Sequence, residues 1–162
     1  MDDELEISTA AQFKALGHPL RHRLLFALGQ EAATTSQLAV TLGTAKGNIA
    51  HHLGVLREAG MVEVTETRQV RGGTEQYYRR TARRLSFTGE GARENNSVAL
   101  QAVAAELQTA EDPLFNIRNI RLTRTQAEEL TTQLDTIITT LKDAGPGEAR
   151  HGVVVAVYRP QS

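Results

Sequence analysis

The chain has 162 residues, with 18 Lys and Arg against 19 Asp and Glu, no cysteine, no tryptophan, 40% apolar residues and only 7 aromatics. That length allows one domain, or one small domain with an appendage, and the core must be aliphatic. The lack of cysteine excludes disulfides, thiolate metal sites, iron–sulfur ligation and cysteine nucleophiles together.

The start, MDDELEIS, is acidic and lacks the basic and apolar regions of a signal peptide. The longest purely apolar run, Val153 to Val157, is too short to cross a bilayer. A cytoplasmic location and no membrane partner are expected.

Ser8 to Leu16 reads as a helix, with Ser8 as N-cap, Ala10, Phe13 and Leu16 at helical spacing, and Gly17 as the stop. A second helix follows, with Pro19 in its first turn, a broad apolar face of Leu20, Leu24, Phe26, Ala27 and Leu28, and Gly29 at its end. TTSQLAVTLG gives a short third helix with Thr35 as N-cap, Leu38, Ala39 and Leu42 inward, and Gly43 where the chain turns sharply. A fourth helix starts almost at once, capped by Thr44, with Ile49, Leu53 and Leu56 along one face and Gly60 as terminator.

The period then changes to two. Val62 and Val64 alternate with Glu63 and Thr65, and Val70, the tip Arg71-Gly72-Gly73 and the returning run TEQYYRR complete a hairpin. Tyr77 and Tyr78 are expected as hairpin core rather than as a base-stacking platform. An amphipathic helix over about Ala92 to Ala110 carries Leu100, Val103 and Leu107, with Pro113 just beyond it. The last fifty residues read as an alternating strand around Phe115, Ile117, Ile120 and Leu122, then a helix, then the strand HGVVVAVYRP. Thr123 and Gln126 have capping-box spacing, Leu130, Leu134, Ile137, Ile138 and Leu141 form the stripe, and a Gly145-Pro146-Gly147 turn follows.

The expected fold class is mainly α with a β-hairpin wing, a winged helix-turn-helix, plus a small C-terminal strand–helix–strand appendage. The expected divisions are 1–88 for the winged domain, 89–112 for a linking or dimerisation helix, and 113–162 for a dimerisation or effector unit.

The formal net charge of −1 hides a segregated pattern. Residues 1–17 and 85–162 are each acidic by three charges, whereas His18 to Arg84 holds 10 Lys and Arg against 5 Asp and Glu. Within Arg68 to Arg84 the count is 6 basic residues against the single Glu75. Such a stretch suits either a solvated face or a phosphate-binding surface.

Two short helices separated by Leu42-Gly43-Thr44, with a basic hairpin directly after, have the order of a winged helix-turn-helix. Leu38 and Leu42 are expected to pack against Ile49 and Leu53, leaving the other face of the fourth helix to project. That face offers Lys46, Gly47, Asn48 and His51. Asn can pair with adenine, Lys can donate to guanine, and Gly47 lets the backbone approach a duplex. His51 and His52 diverge by about 100° on a helix and cannot chelate one ion together, so His51 is expected outward and His52 packed near the hairpin.

Arg68, Arg71, Gly72 and Gly73 would form the wing tip, where a neighbouring phosphate or minor groove would lie. Arg79, Arg80, Arg83 and Arg84 extend the charge, and a solvated or acid-paired cluster rather than direct DNA contact is expected for at least two of them. No Gly-x-Ser-x-Gly motif or phosphate loop is present, and Arg71-Gly72-Gly73 alone does not cradle a nucleotide, so no catalytic residue is expected.

The runs FKALGHPLRHRLLFAL, QLAVTLGTAKGNIAHHLGVLREAGMVEV and RGGTEQYYRR resemble the ArsR-like winged-helix transcription regulators of bacteria, over roughly residues 10–84. The resemblance implies a homodimer that represses promoters by binding imperfect inverted repeats in double-stranded DNA, with Ala45 to Ala59 in the major groove. It places Lys46, Gly47, Asn48 and His51 at base-reading positions and Arg71 to Thr74 at the wing tip. Metal-sensing members carry a Cys-x-Cys pair on the helix before the recognition helix, or carboxylate and His ligands on a C-terminal helix. Here the matching helix reads SQLAVTL, and no histidine occurs between His52 and His151. Metal sensing of the usual kind is therefore not expected, nor is a cofactor.

Residues 113–162 lie outside the resemblance. They could bind a small-molecule effector or serve as a dimerisation or partner-binding appendage, and the absence of a polar constellation favours the appendage. A winged-helix protein-interaction module that does not bind DNA is the rival reading for the whole chain, suggested by its near-neutral total charge.

Overall fold

A computed structural model describes residues 1–29, 31–145 and 147–160, and the chain divides into two units, Met1–Asp112 and Pro113–Ser162. Pro146, the middle of the expected Gly145-Pro146-Gly147 turn, lies outside the described residues.

The first unit runs β1 (Asp2–Ile7), α1 (Ala10–Leu16), α2 (Pro19–Leu28), β2 (Ala33–Thr34), α3 (Thr35–Leu42), α4 (Lys46–Glu58), β3 (Val62–Val70), β4 (Gly73–Arg80), β5 (Ala82–Phe87) and α5 (Ala92–Leu107). The helices fall where the 3.6-residue apolar period places them, but their caps differ by a residue. Thr9, not Ser8, caps α1, and Thr34, not Thr35, caps α3. In both, the threonine hydroxyl accepts from the backbone N–H three residues on, and Gln12 or Gln37 accepts in return from the cap N–H. Each glutamine lies three residues after the threonine that caps, which is the spacing the reciprocal pair of hydrogen bonds requires. Ala45 rather than Thr44 caps α4, with no side-chain hydrogen bond, while the Thr44 hydroxyl accepts from Asn48 Nδ2 at 3.3 Å.

Gly43 adopts φ 62° and ψ 38°, a left-handed conformation that lets α4 follow α3 almost at once. Leu38, Leu42, Ile49 and Leu53 are buried in one core with Leu24 and Leu28 of α2, which holds the two helices of the motif together. Each fully buried leucine contributes roughly 1.5–3 kcal/mol relative to exposure.

β3 and β4 form the antiparallel wing, in which Val70 pairs with Gly73 around Arg71 and Gly72, and a register shift occurs between Val64 and Glu66. Gly72, at φ 100°, occupies the turn position that disfavours a side chain. Sequence pattern missed two pairings, one that extends this hairpin and one that forms a separate two-stranded sheet. β2 pairs with β4, making a three-stranded sheet of order β2-β4-β3, and β1 pairs in parallel with β5, matching Leu5 to Leu85 and Ile7 to Phe87. Ile7 is fully buried in the common core.

On α5 the expected stripe is displaced. Asn95 and Ala102 are the buried residues, while Leu100 is exposed.

In the second unit α6 (Arg124–Thr140) forms as expected, with Thr123 and Gln126 in a reciprocal capping box. Its flanks depart from expectation. Among the described residues, neither 113–123 nor 149–160 pairs into a strand, and none of the unit is buried. A strand requires a partner for its ladder, and neither flank has one here.

Candidate nucleic-acid interface

The core side of α4 is made by Ile49, His52, Leu53 and Leu56, all buried. Because the helix repeats every 3.6 residues, Lys46, Gly47, Asn48 and His51 fall on its other side, and all four are exposed. The Asn48 amide is engaged locally by Thr44. Reading a base with both amide atoms would mean exchanging that hydrogen bond.

His52 is buried and meets two other histidines. Its ring lies 4.5 Å from that of His18, whose Nδ1 accepts from Leu20 N–H at the start of α2, and 5.1 Å from that of His51. The step of about 100° after His51 turns His52 inward, beside His18 at the start of α2. Burial pushes the His52 imidazole below the ordinary histidine range, and the neighbouring His18, Arg21 and His51 charges add to the effect. Its Nδ1 is buried with no hydrogen-bond partner.

The wing divides its basic residues into two kinds. Arg71, Gly72 and Gly73 stand at the tip, but Arg68 lies within β3, opposite Glu75. Its guanidinium donates to both carboxylate oxygens of Glu66, at 2.5 and 2.8 Å, and sits 4.6 Å over the Tyr77 ring. The hydrogen bond from Arg68 holds Glu66 below the usual carboxylate range and raises Arg68 in turn. Arg68 is therefore tied to the sheet rather than presented at the tip. Tyr78 is packed against the core.

Beyond the wing, Arg79 donates to Glu63 at 2.9 Å, Arg83 lies 3.9 Å from Asp3, and Arg84 is paired with Glu4. Arg80 donates to the Arg83 carbonyl at 2.8 Å. Acid pairing thus accounts for three of these four arginines, and two of the acids come from β1.

A cleft of about 280 Å³ gathers Lys46, the tip Arg71-Gly72-Gly73, and Thr35 and Ser36 at the start of α3. It brings together one recognition-helix residue and three wing residues from the candidate set; Asn48, His51 and Arg68 do not line it. Thr35 and Ser36 were missed by sequence reasoning. The first backbone N–H groups of a helix have no intrahelical acceptor, and they favour an anion. The available signal was the T-T-S-Q run with its capping-box spacing.

Residues 16–65 match the family model described as a helix-turn-helix domain. The matched residues hold α2, α3 and α4, and with the β3–β4 hairpin that follows them the geometry is that of a winged helix-turn-helix. The chain is similar to the HTH-type transcriptional regulator CmtR of Mycobacterium bovis and of Mycobacterium tuberculosis, at 42% identity over 67 residues in each case. That alignment covers 41% of this chain and 57% of each relative. Among solved structures, the transcriptional repressor BigR from Xylella fastidiosa is similar at 30% identity, with 57% of this chain and 81% of that chain covered and a TM-score of 0.35. These relatives are named as regulators of transcription.

Proposed function

We propose that the protein is a sequence-specific, DNA-binding transcription regulator that acts by repression as a homodimer on a pseudo-palindromic operator. In this reading 1–88 binds DNA, 89–112 links and contributes to the dimer, and 113–162 is an added association or effector unit. The observation that carries it is the cleft in which Lys46, the wing tip and the start of α3 converge beside the exposed face of α4. Lys46, Gly47, Asn48 and His51 read the major groove, Arg71, Gly72 and Gly73 meet the adjacent backbone, and the amides of Thr35 and Ser36 receive a phosphate. Arg68 contributes by stiffening the wing through Glu66 and Tyr77. Binding to chromosomal DNA implies the cytoplasm, and no helix among the described residues is long and apolar enough to cross a membrane. Neither metal nor cofactor enters this reading.

Selection from random duplexes tests it. The expected result is a palindromic consensus with half-sites about one helical turn apart, and affinity that falls steeply with salt. The pairing of Arg68, Arg79, Arg83 and Arg84 with acids favours a second reading, a winged-helix protein-interaction module without DNA binding. No enrichment, and no salt-dependent binding to any duplex, would select that reading instead.

A further inference from the structure

We propose that His18 and His52 form a proton-sensitive joint between α2 and α4, which anchors α4 while both rings are neutral and loosens it in acid. The inference concerns how α4 is held, so it stands whether or not a duplex is what α4 meets.

Each ring belongs to one of the two helices that the joint connects. His18 is the N-cap of α2, and its Nδ1 accepts from the Leu20 N–H at 3.1 Å. An imidazolium carries a hydrogen on both nitrogens and accepts at neither, so protonating His18 forfeits the cap and leaves that N–H without its partner. His52 lies on α4, only 7% exposed, with its ring 4.5 Å from that of His18. Its Nδ1 is buried with no hydrogen-bond partner, so no acceptor at that atom offsets a positive charge on the ring.

The surroundings add charge of the same sign. The groups that bear on His52 are His18 and Arg21 from α2 and its cap, and His51 beside it; α1, α3 and β3, which also pack against α4, add none. Arg21 is not neutralised. Its guanidinium donates to the Lys14 carbonyl, its Nε has no partner, and among the described residues no carboxylate forms an ion pair with it or with any of the three histidines. Moving α4 away from α2 takes His52 towards water and away from these charges, so the loosened form binds a proton more readily. The anchoring is therefore complete above about pH 6.5 and is lost as pH falls through the lowered value of His52.

Hydrogen exchange and NMR titration of the histidine rings, both on the full chain, test the joint. Between about pH 7.5 and about pH 5, where ordinary carboxylates stay ionised, protection of the α4 amides should fall at least about threefold further than that of β1 and β5. The His52 ring should titrate below the ordinary histidine range. In His18→Asn, which keeps a capping acceptor and removes a neighbouring charge, that titration should move upward. His52→Phe keeps a ring that cannot be charged and should abolish the decline specific to α4; if this variant does not fold, the His18→Asn titration decides. The proposal is overturned by α4 protection that falls no further than that of β1 and β5, or by a His52 ring that titrates in or above the ordinary range. A titration unmoved in His18→Asn, or a folded His52→Phe chain that keeps the decline, overturns it as well. None of these outcomes involves a duplex, so they are distinct from a failure of the regulator reading.

Discussion

Two stretches of this chain have similar apolar patterning and opposite fates. In residues 1–112, leucines at helical spacing on α2, α3 and α4 close around one another, and Leu24, Leu28, Leu38, Leu53 and Leu56 are almost wholly buried. In residues 113–160, an equally regular stripe on α6 is at most half-buried, as at Leu130, Leu134 and Ile138, its two apolar flanks are exposed, and no described residue is fully buried. Periodicity specifies which face of a segment is apolar, but only a partner element makes that face a core.

The widest separation between the two regions should appear in core truncations. Leu53→Ala removes a fully buried side chain where α4 meets the core, and should cost about 2–5 kcal/mol in chemical unfolding. Leu134→Ala, made in a region without buried residues, should cost less than about 1 kcal/mol in dilute monomer, as ordinary surface changes do. Equal losses at low concentration would erase the contrast.

Within the first region, the wing provides a finer comparison. Arg71→Gln should weaken operator binding by about 1–3 kcal/mol and lower the salt slope by about one charge. Arg68→Gln, at an arginine already neutralised by Glu66, should leave the salt slope nearly unchanged in the same titration. If the two variants behave alike, the division of the wing into tip and stiffener is wrong.

The smallest effect concerns protons. His22 is buried and donates from Nε2 to the Leu16 carbonyl at 3.0 Å; burial pushes its imidazole down, a shift the Leu16 hydrogen bond partly opposes. His52 is shifted the same way. Both groups bind protons more readily in the unfolded chain, so their contribution is fully present above about pH 6.5 and is lost as pH falls through the lowered folded values. Denaturant midpoints should therefore decline on acidification below about pH 6.5, and His22→Gln should flatten that decline. Carboxylate titration does not mimic this signature near neutrality, because ordinary carboxylates remain ionised there.

How much was legible follows from the range of the interactions. α2, α3, α4 and the wing are local: apolar spacing, the glycines at 29, 43 and 60, and the Val70 to Thr74 turn declare them within a few residues. The outward face of α4 follows from the same period. β1 and β5 were missed because each is short and their pairing joins residues 80 apart, as from Glu4 to Arg84, leaving no local pattern. β2 is only two residues long and gains its identity from Tyr77 and Tyr78 across the ladder. The expected strands at 115–122 and 152–158 were read from alternation and β-branched composition, which express a preference without providing a partner. The place of His52 depended on α2, a neighbour the helical pattern does not identify. Thr35 and Ser36 entered the cleft through the approach of the wing, again a matter of tertiary geometry.

The parallel pairing of β1 with β5 also shapes the field that a duplex would meet. Asp3 and Glu4 ride on β1 to the positions where Arg83 and Arg84 emerge, so the chain carries its own counterions to the end of its basic segment. The positive potential is thereby trimmed back towards Lys46 and Arg71, and an approaching polyanion is given a direction rather than a diffuse attraction. In the proposed regulator the acidic leading residues would act as a mask, neutralising Arg83 and Arg84 and leaving Lys46 and Arg71 to meet the duplex.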